Sequence, residues 1–159
     1  MRILSQSSGF GTLQNMIKVT DSAEVPYSAN QMFELVSRVE DYPQFLQYCT
    51  AGEILFNEND SLVVRLAFNK SGVEYELVTR NASRIPHEIN MQLVAGPFST
   101  FSARWTFTEH DASTVVAIEC EFALKNRLMG VVMGPVFESM LKTQVRSFCS
   151  RADELYGKN

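Results

Sequence analysis

Hydrophobic and polar positions alternate along most of the chain with a period of two residues. Six stretches follow this pattern, namely residues 17–25, 62–69, 73–80, 89–93, 101–107 and 116–124. Strict alternation is typical of strands that bury one face and expose the other. Turn-forming pairs such as Ser71-Gly72 and Gly96-Pro97 separate several of the stretches. Short strands joined by turns indicate an antiparallel sheet with one solvated face.

Three other segments have helical periodicity. Ser28 and Gln31 have the spacing of a capping box, which predicts a helix over residues 29–38. A second short helix is predicted at residues 41–46. Towards the C-terminus, apolar residues recur every three or four positions, which predicts an amphipathic helix of about 30 residues. Pro135 lies in the first third of this helix, where we expect a bend or a restart.

The order of these elements predicts an α+β fold. We expect a curved six- to seven-stranded antiparallel sheet around the long C-terminal helix, with two short helices after the first strand. Such a pair of layers leaves a cavity when the facing side chains do not fill the space. Residues 16–157 are predicted to form a single domain. Residues 1–15 are polar and contain Gly and Ser, which predicts a disordered leader and makes Met16 an alternative start.

Composition excludes several classes of protein. The net charge of −4 argues against a general nucleic-acid binder, so DNA is not an expected partner. Three cysteines with no CxxC pair favour a reducing compartment. Since there is neither a signal-peptide h-region nor an apolar run of roughly 20 residues, we expect a soluble, cytoplasmic protein. His87 and His110 lack metal-ligand spacing, so no metal site is expected.

Catalytic motifs are absent from the sequence. It contains neither a Gly-rich phosphate loop nor a Ser or Cys nucleophile motif. The carboxylate pairs Glu74/Glu76 and Glu119/Glu121 lie on the polar faces of their strands, where solvated side chains are expected. We therefore predict that the protein is not an enzyme and requires no cofactor, and we consider a cyclase activity the weaker alternative.

Phe and Met residues are numerous, with eleven and seven respectively. They either fill the core or form the wall of a pocket, and Met-rich walls adapt to flexible ligands. The candidate ligand-binding residues are Phe45, Phe68, Trp105, Phe122, Met133, Phe137 and Met140. A candidate basic patch on the long helix consists of Lys142, Arg146 and Arg151. It is either a solvated surface or a contact for phospholipid headgroups or ribosomal RNA.

Several segments together resemble a known family. They are residues 25–28 (VPYS), 39–46 (VEDYPQFL), 96–98 (GPF), 105–107 (WTF) and 128–137. In these segments the chain is similar to the RatA proteins and the coenzyme Q-binding START-like proteins, a polyketide cyclase-like group. The resemblance covers about residues 16–156, which is nearly the whole chain. One departure is Gln47, where the family often has Pro.

The resemblance implies a helix-grip fold and two competing functions. In the first, the protein holds ubiquinone or a polyprenyl precursor as a lipid carrier or chaperone that supports respiration, with transient contact at the inner membrane. In the second, it is a RatA-type toxin that binds the large ribosomal subunit and blocks subunit association. We favour the lipid carrier because the predicted apolar inner surface suits a hydrophobic ligand, and we keep the ribosome-binding toxin as the alternative.

Overall fold

The computed structural model describes residues 1–10, 16–59 and 61–157. The fold is α+β, as predicted, with one antiparallel sheet and a long C-terminal helix. The strands are β1 (Arg2–Phe10), β2 (Ile17–Val25), β3 (Cys49–Glu58), β4 (Ser61–Lys70), β5 (Val73–Arg84), β6 (Glu88–Ala95), β7 (Phe98–His110) and β8 (Ser113–Leu124). The helices are α1 (Ala29–Ser37), a 3-10 helix (Val39–Gln44) and α2 (Arg127–Tyr156).

The sheet has eight strands in the order β1-β2-β8-β7-β6-β5-β4-β3, so the predicted count of six to seven is too low. The two additional strands, β1 and β3, are the two edges of the sheet. The prediction of a disordered leader is wrong for residues 2–10, because β1 pairs with β2 from Arg2 to Phe10. Residues 11–15 of the predicted leader lie outside the described residues.

The helices agree with the sequence patterns except at two points. The capping box of α1 is confirmed, since the Ser28 side chain accepts from the Gln31 backbone and the Gln31 side chain accepts from the Ser28 backbone. The second short helix is a 3-10 helix and begins two residues earlier than predicted. α2 is continuous over 30 residues with Pro135 inside it. The expected restart at Pro135 is therefore wrong.

The core lies between the concave face of the sheet and the helices. Phe107, Phe122 and Phe148 are fully buried there, on β7, β8 and α2 respectively. At one end, the Tyr27 hydroxyl donates to the Asp153 carboxylate at 2.5 Å, which ties the entry of α1 to the last turns of α2. Among the described residues, no helix is both long enough and apolar enough to cross a membrane.

Candidate ligand cavity

An apolar cavity lies between the sheet and α2. The cavity opens to solvent and has a volume of about 80 Å³. Because a cavity needs only about 10–15 Å³ to hold one water molecule, it is large enough for several water-sized groups. The sheet and the helix therefore do not mesh completely.

The register of the strands builds the cavity floor. Leu62 on β4 pairs with Asn81 on β5, Asn81 pairs with Met91 on β6, and Met91 pairs with Ala103 on β7. All four side chains line the cavity. Cross-strand partners in a twisted sheet point to the same face, so this row is a continuous strip of wall. Ala103, at the β7 end of the row, has the smallest side chain and fills the least space.

A second row runs parallel to the first, two residues along each strand. It consists of Ser83, Ile89, Trp105 and Ile118. The two rows together supply a wall that is mainly aliphatic and aromatic, with polar side chains concentrated on β5.

α2 forms the roof of the cavity. Phe137 packs its ring 4.9 Å from Phe98, 5.2 Å from Tyr75 and 6.2 Å from Phe122, measured between ring centroids. These distances are those of favourable tilted and edge-to-face aromatic pairs. Met140, one turn further along α2, also lines the cavity. The cluster fixes α2 on the sheet at one side of the cavity.

The polar groups in the wall are few and uncharged. Asn81 is 9% exposed and accepts a 2.7 Å hydrogen bond from the Thr79 hydroxyl at its side-chain oxygen. Ser37, Ser83 and Gln144 also line the cavity, as does Tyr42, whose hydroxyl donates to the Val36 carbonyl. Among the described residues, no charged side chain and no histidine lines the cavity. This arrangement suits an apolar ligand with one or two neutral hydrogen-bonding groups.

Five of the predicted ligand-binding residues line the cavity, namely Phe68, Trp105, Phe122, Phe137 and Met140. Phe45 and Met133, both among the described residues, lie outside the lining. Phe45 packs instead 5.3 Å from the Phe148 ring, and the Arg151 guanidinium lies 5.4 Å from its ring centre. Met133 is half-buried against the core. Ligand binding by the five lining residues stays a prediction.

Sequence reasoning missed Asn81 as a lining residue. The signal was present in β5, where inward positions run Tyr75, Leu77, Thr79 and Asn81 and become polar along the strand. A polar side chain in the inward register of an otherwise apolar strand is the feature that marks it.

The predicted basic patch does not form one surface. Lys142 and Arg151 are nine residues apart, which places them on opposite sides of an α-helix. Lys142 pairs with Glu138 at 3.5 Å, whereas Arg151 donates to Gln44 of the 3-10 helix at 2.9 Å. The prediction of a single patch is therefore wrong, because Arg151 is engaged at the 3-10 helix. Lys142 and Arg146 remain neighbours on one side of α2.

The carboxylate pairs considered for catalysis lie on the outer face of the sheet. Glu76 pairs with Arg65 at 3.1 Å, Glu119 with Arg104 at 3.5 Å, and Glu121 with Lys18 at 3.5 Å. Each of these side chains is substantially exposed. Such surface pairs contribute little to stability, and they lie on the opposite side of the sheet from the cavity.

Comparison with known proteins gives matches over most of the chain. Residues 25–149 match the family model of polyketide cyclase/dehydrase and lipid transport proteins. The persistence and stress-resistance toxin PasT of Escherichia coli O6:H1 is 35% identical, over 89% of this chain and 90% of that protein. The ribosome association toxin RatA of Escherichia coli K12 is 34% identical over the same shares. The mitochondrial coenzyme Q-binding protein COQ10 of Dictyostelium discoideum is 26% identical, over 86% of this chain and 69% of that protein.

Solved structures show the same fold. The Zhui aromatase/cyclase of Streptomyces sp. R1128 superposes with a TM-score of 0.76 at 18% identity, over 87% of this chain and 94% of that one. A START superfamily protein of Mycobacterium smegmatis gives 0.74 at 22% identity, over 87% and 98%. Because the same fold occurs in an aromatase/cyclase and in a START superfamily protein, the fold alone does not give the function, which has to be argued from the cavity.

Proposed function

This chain belongs to the polyketide cyclase/dehydrase and lipid transport family, in the RatA and coenzyme Q-binding START-like group, and we propose that it binds an isoprenoid quinone, such as ubiquinone or a polyprenyl precursor, without catalysing a reaction. The observation that carries the proposal is the uncharged cavity beneath α2. The name of the relative COQ10 supports the choice of ligand. On this proposal the protein is a cytoplasmic lipid carrier with transient contact at the inner membrane.

The driving force for binding is burial of the isoprenoid tail. Each buried CH₂ group contributes about 0.8 kcal/mol, so one five-carbon isoprene unit contributes roughly 3–4 kcal/mol. The aromatic side of the wall, with Trp105 and Phe137, and the flexible Met91 and Met140 suit such a tail. On this proposal the headgroup and the first isoprene units occupy the cavity, and the remainder of the tail leaves through its opening to solvent.

The quinone headgroup needs a hydrogen-bond donor, since its carbonyl oxygens only accept. The Asn81 oxygen is occupied by the Thr79 hydroxyl, which orients the Asn81 amide nitrogen as the donor. Among the described residues nothing accepts a hydrogen bond from that nitrogen. We assign Asn81 as the group that holds a quinone carbonyl, with Ser83 beside it on the same face of β5.

The direct test is identification of the lipid that co-purifies with the gently isolated protein, by extraction and mass spectrometry, together with thermal unfolding in added ubiquinone-2. At a ligand concentration of 100 Kd the stabilisation is about 2.7 kcal/mol, which raises the melting temperature by about 5–10 °C. No quinone in the extract and no rise in melting temperature would refute the proposal.

A cavity-filling variant separates binding in the cavity from binding elsewhere. Ala103→Met places a larger side chain in the cavity floor, where Ala103 is 6% exposed. It should abolish the shift caused by ubiquinone-2. The matched control is Ala82→Met, on the outer face of β5, where Ala82 is exposed. The control should respond to ubiquinone-2 like the wild type.

Ribosome association is the second candidate function. Relatives at 33–35% identity carry the names RatA and PasT, and this supports an activity of the RatA type for the chain, that is, binding to the large ribosomal subunit. The remaining basic neighbours on α2, Lys142 and Arg146, are the candidate contact. We expect Lys142→Gln with Arg146→Gln to remove co-sedimentation with ribosomal subunits at low salt. Ubiquinone-2 binding should be retained, and wild-type protein that sediments free of subunits would contradict this candidate.

A further inference from the structure

The first two turns of α2 expose an apolar face to solvent. Leu128, Val131 and Val132 are 73%, 71% and 62% exposed. Their spacing of three and four residues places them on one face of the helix, and the exposed Pro135 continues that face. We call these four residues the apolar stripe. Single exposed apolar side chains are ordinary, but a contiguous set on one helix face marks an interaction surface.

The apolar stripe is distinct from the core-facing side of α2. The side that covers the cavity carries Phe137 and Met140, which are 7% and 8% exposed. Beyond Pro135, the outward face becomes polar, with Ser139 and Lys142 at the next positions. The apolar character is therefore confined to the segment of α2 that begins directly after β8.

The surroundings of the apolar stripe are basic. Lys125 and Arg127 are exposed at the start of α2, and residues 125–137 contain no acidic side chain. Within the part of the chain that the structure describes, neither base forms an ion pair. The N-terminus of a helix adds a partial positive charge. This local charge contrasts with the net charge of −4 of the whole chain.

We propose that the apolar stripe, together with Lys125 and Arg127, docks this protein onto an anionic phospholipid bilayer. Valine and leucine side chains enter the boundary between headgroups and acyl chains, while the two bases contact the anionic headgroups. Nucleic acid would use the bases but leave the apolar side chains uncovered. The choice of a bilayer rests on the proposed function, because a quinone carrier has to exchange its ligand with a membrane. Docking by this face brings the roof of the cavity to the bilayer.

Flotation with lipid vesicles tests the proposal. Wild-type protein should float with vesicles of phosphatidylglycerol and phosphatidylcholine, and only weakly with phosphatidylcholine alone. The variant Leu128→Ser/Val131→Ser/Val132→Ser should lower the partition coefficient by about a hundredfold. Lys125→Gln/Arg127→Gln should lower it by about thirtyfold on anionic vesicles, since each base near the surface contributes roughly fivefold. All changed side chains are exposed, so folding should be retained.

The matched control is Leu155→Ser, which removes a 48% exposed side chain near the other end of the same helix. It should float like the wild type. The proposal is overturned if the triple serine variant floats like the wild type, or if flotation does not depend on the charge of the lipid. It is also overturned if the apolar stripe instead mediates a concentration-dependent dimer or binding to ribosomal subunits. Ubiquinone-2 binding is measured on the same proteins. Wild type that binds ubiquinone-2 but not vesicles refutes the docking surface alone, whereas wild type that binds vesicles but not ubiquinone-2 refutes the proposed function alone.

Discussion

Replacing Asp21 by Asn should stabilise the protein at neutral pH. Asp21 lies on β2 in the register that faces α2, and it is 2% exposed. Within the described ranges, neither of its carboxylate oxygens has a hydrogen-bond partner. Burial raises the pKa of Asp21 above its ordinary value, and this exceeds the lowering by the Ser22 backbone, the Gln6 side chain and the charge of Arg146. The ionised form is therefore disfavoured in the folded state.

The magnitude follows from the cost of a buried, unsatisfied polar group, which is about 1–3 kcal/mol. Attraction by Arg146 offsets part of this cost, and the Asn amide also needs partners, so we expect a net gain of about 1 kcal/mol in the free energy of unfolding. The pKa of Asp21 is higher in the folded state than in the unfolded state, where it is about 4. The wild type therefore loses stability as the pH rises from about 4 through the folded-state pKa. The advantage of Asp21→Asn should thus be present at pH 7 and shrink as the pH falls to about 4.

Urea unfolding at a series of pH values measures this difference. The matched control is Glu121→Gln, whose side chain is 48% exposed and pairs with Lys18 on the outer face. The control should change stability by less than about 0.5 kcal/mol. In an Arg146→Met background the gain from Asp21→Asn should increase, because the favourable charge has been removed. An Asp21→Asn protein that is no more stable than the wild type at pH 7 would refute the reasoning.

Three further predictions concern packing and protonation. Burial raises the pKa of the thiols of Cys49, Cys120 and Cys149 to about 11, 12 and 11, so a thiol reagent such as Ellman's should label none of them at pH 8 until the protein is unfolded. Gly52→Ala should destabilise by several kcal/mol or prevent folding, because its Cβ would lie 1.9 Å from the Val39 carbonyl oxygen. Gly130→Ala in α2 should stabilise by about 0.5–1 kcal/mol, because beyond the local helix backbone the new Cβ has no neighbour within 4 Å. Urea unfolding measures both changes. The hydrogen bond to Asp153 raises the pKa of Tyr27 to about 12, and burial raises the pKa of Tyr42 further. Ultraviolet titration should therefore show two late tyrosines, and Tyr27→Phe should remove the earlier of the two with a loss of about 0.5–1 kcal/mol in stability.

Six central strands were predictable from the sequence, and the two edge strands were not. The central strands bury one face, so their sequences alternate. β3 is mostly exposed after its first residues, and its pairing with β4 shifts register at Cys49/Ala51 and Ile54/Phe56, which removes the alternation. β1 is polar and largely exposed. Both edge strands are held by backbone hydrogen bonds to a neighbour, and such bonds leave no pattern in side chains.

The sequence predicts an apolar cavity between the sheet and the long helix, but only some of the residues that line it. Trp105 and Phe122 follow from alternation, because the period of two places them on the buried face. The aromatic character of Phe45 predicts a place in the cavity wall, whereas the structure packs its ring against Phe148, outside the lining. The polar face of the predicted long helix places Arg151 in one patch with Lys142 and Arg146, but a separation of nine residues from Lys142 puts Arg151 on the opposite side of the helix.

The sequence by itself determined the helical segments, the six central strands with the buried face of each, and the mainly apolar character of the surface that faces α2. These properties are local, since they depend on the period of the backbone and on the transfer of side chains from water. Only the tertiary structure decided that this surface and α2 stand apart at Ala103 and Asn81, that Asp21 is buried beneath the helix, and that Leu128 and Val131 remain uncovered. Those outcomes depend on the curvature of the sheet and on where α2 crosses it, which are set by the packing of all the elements together.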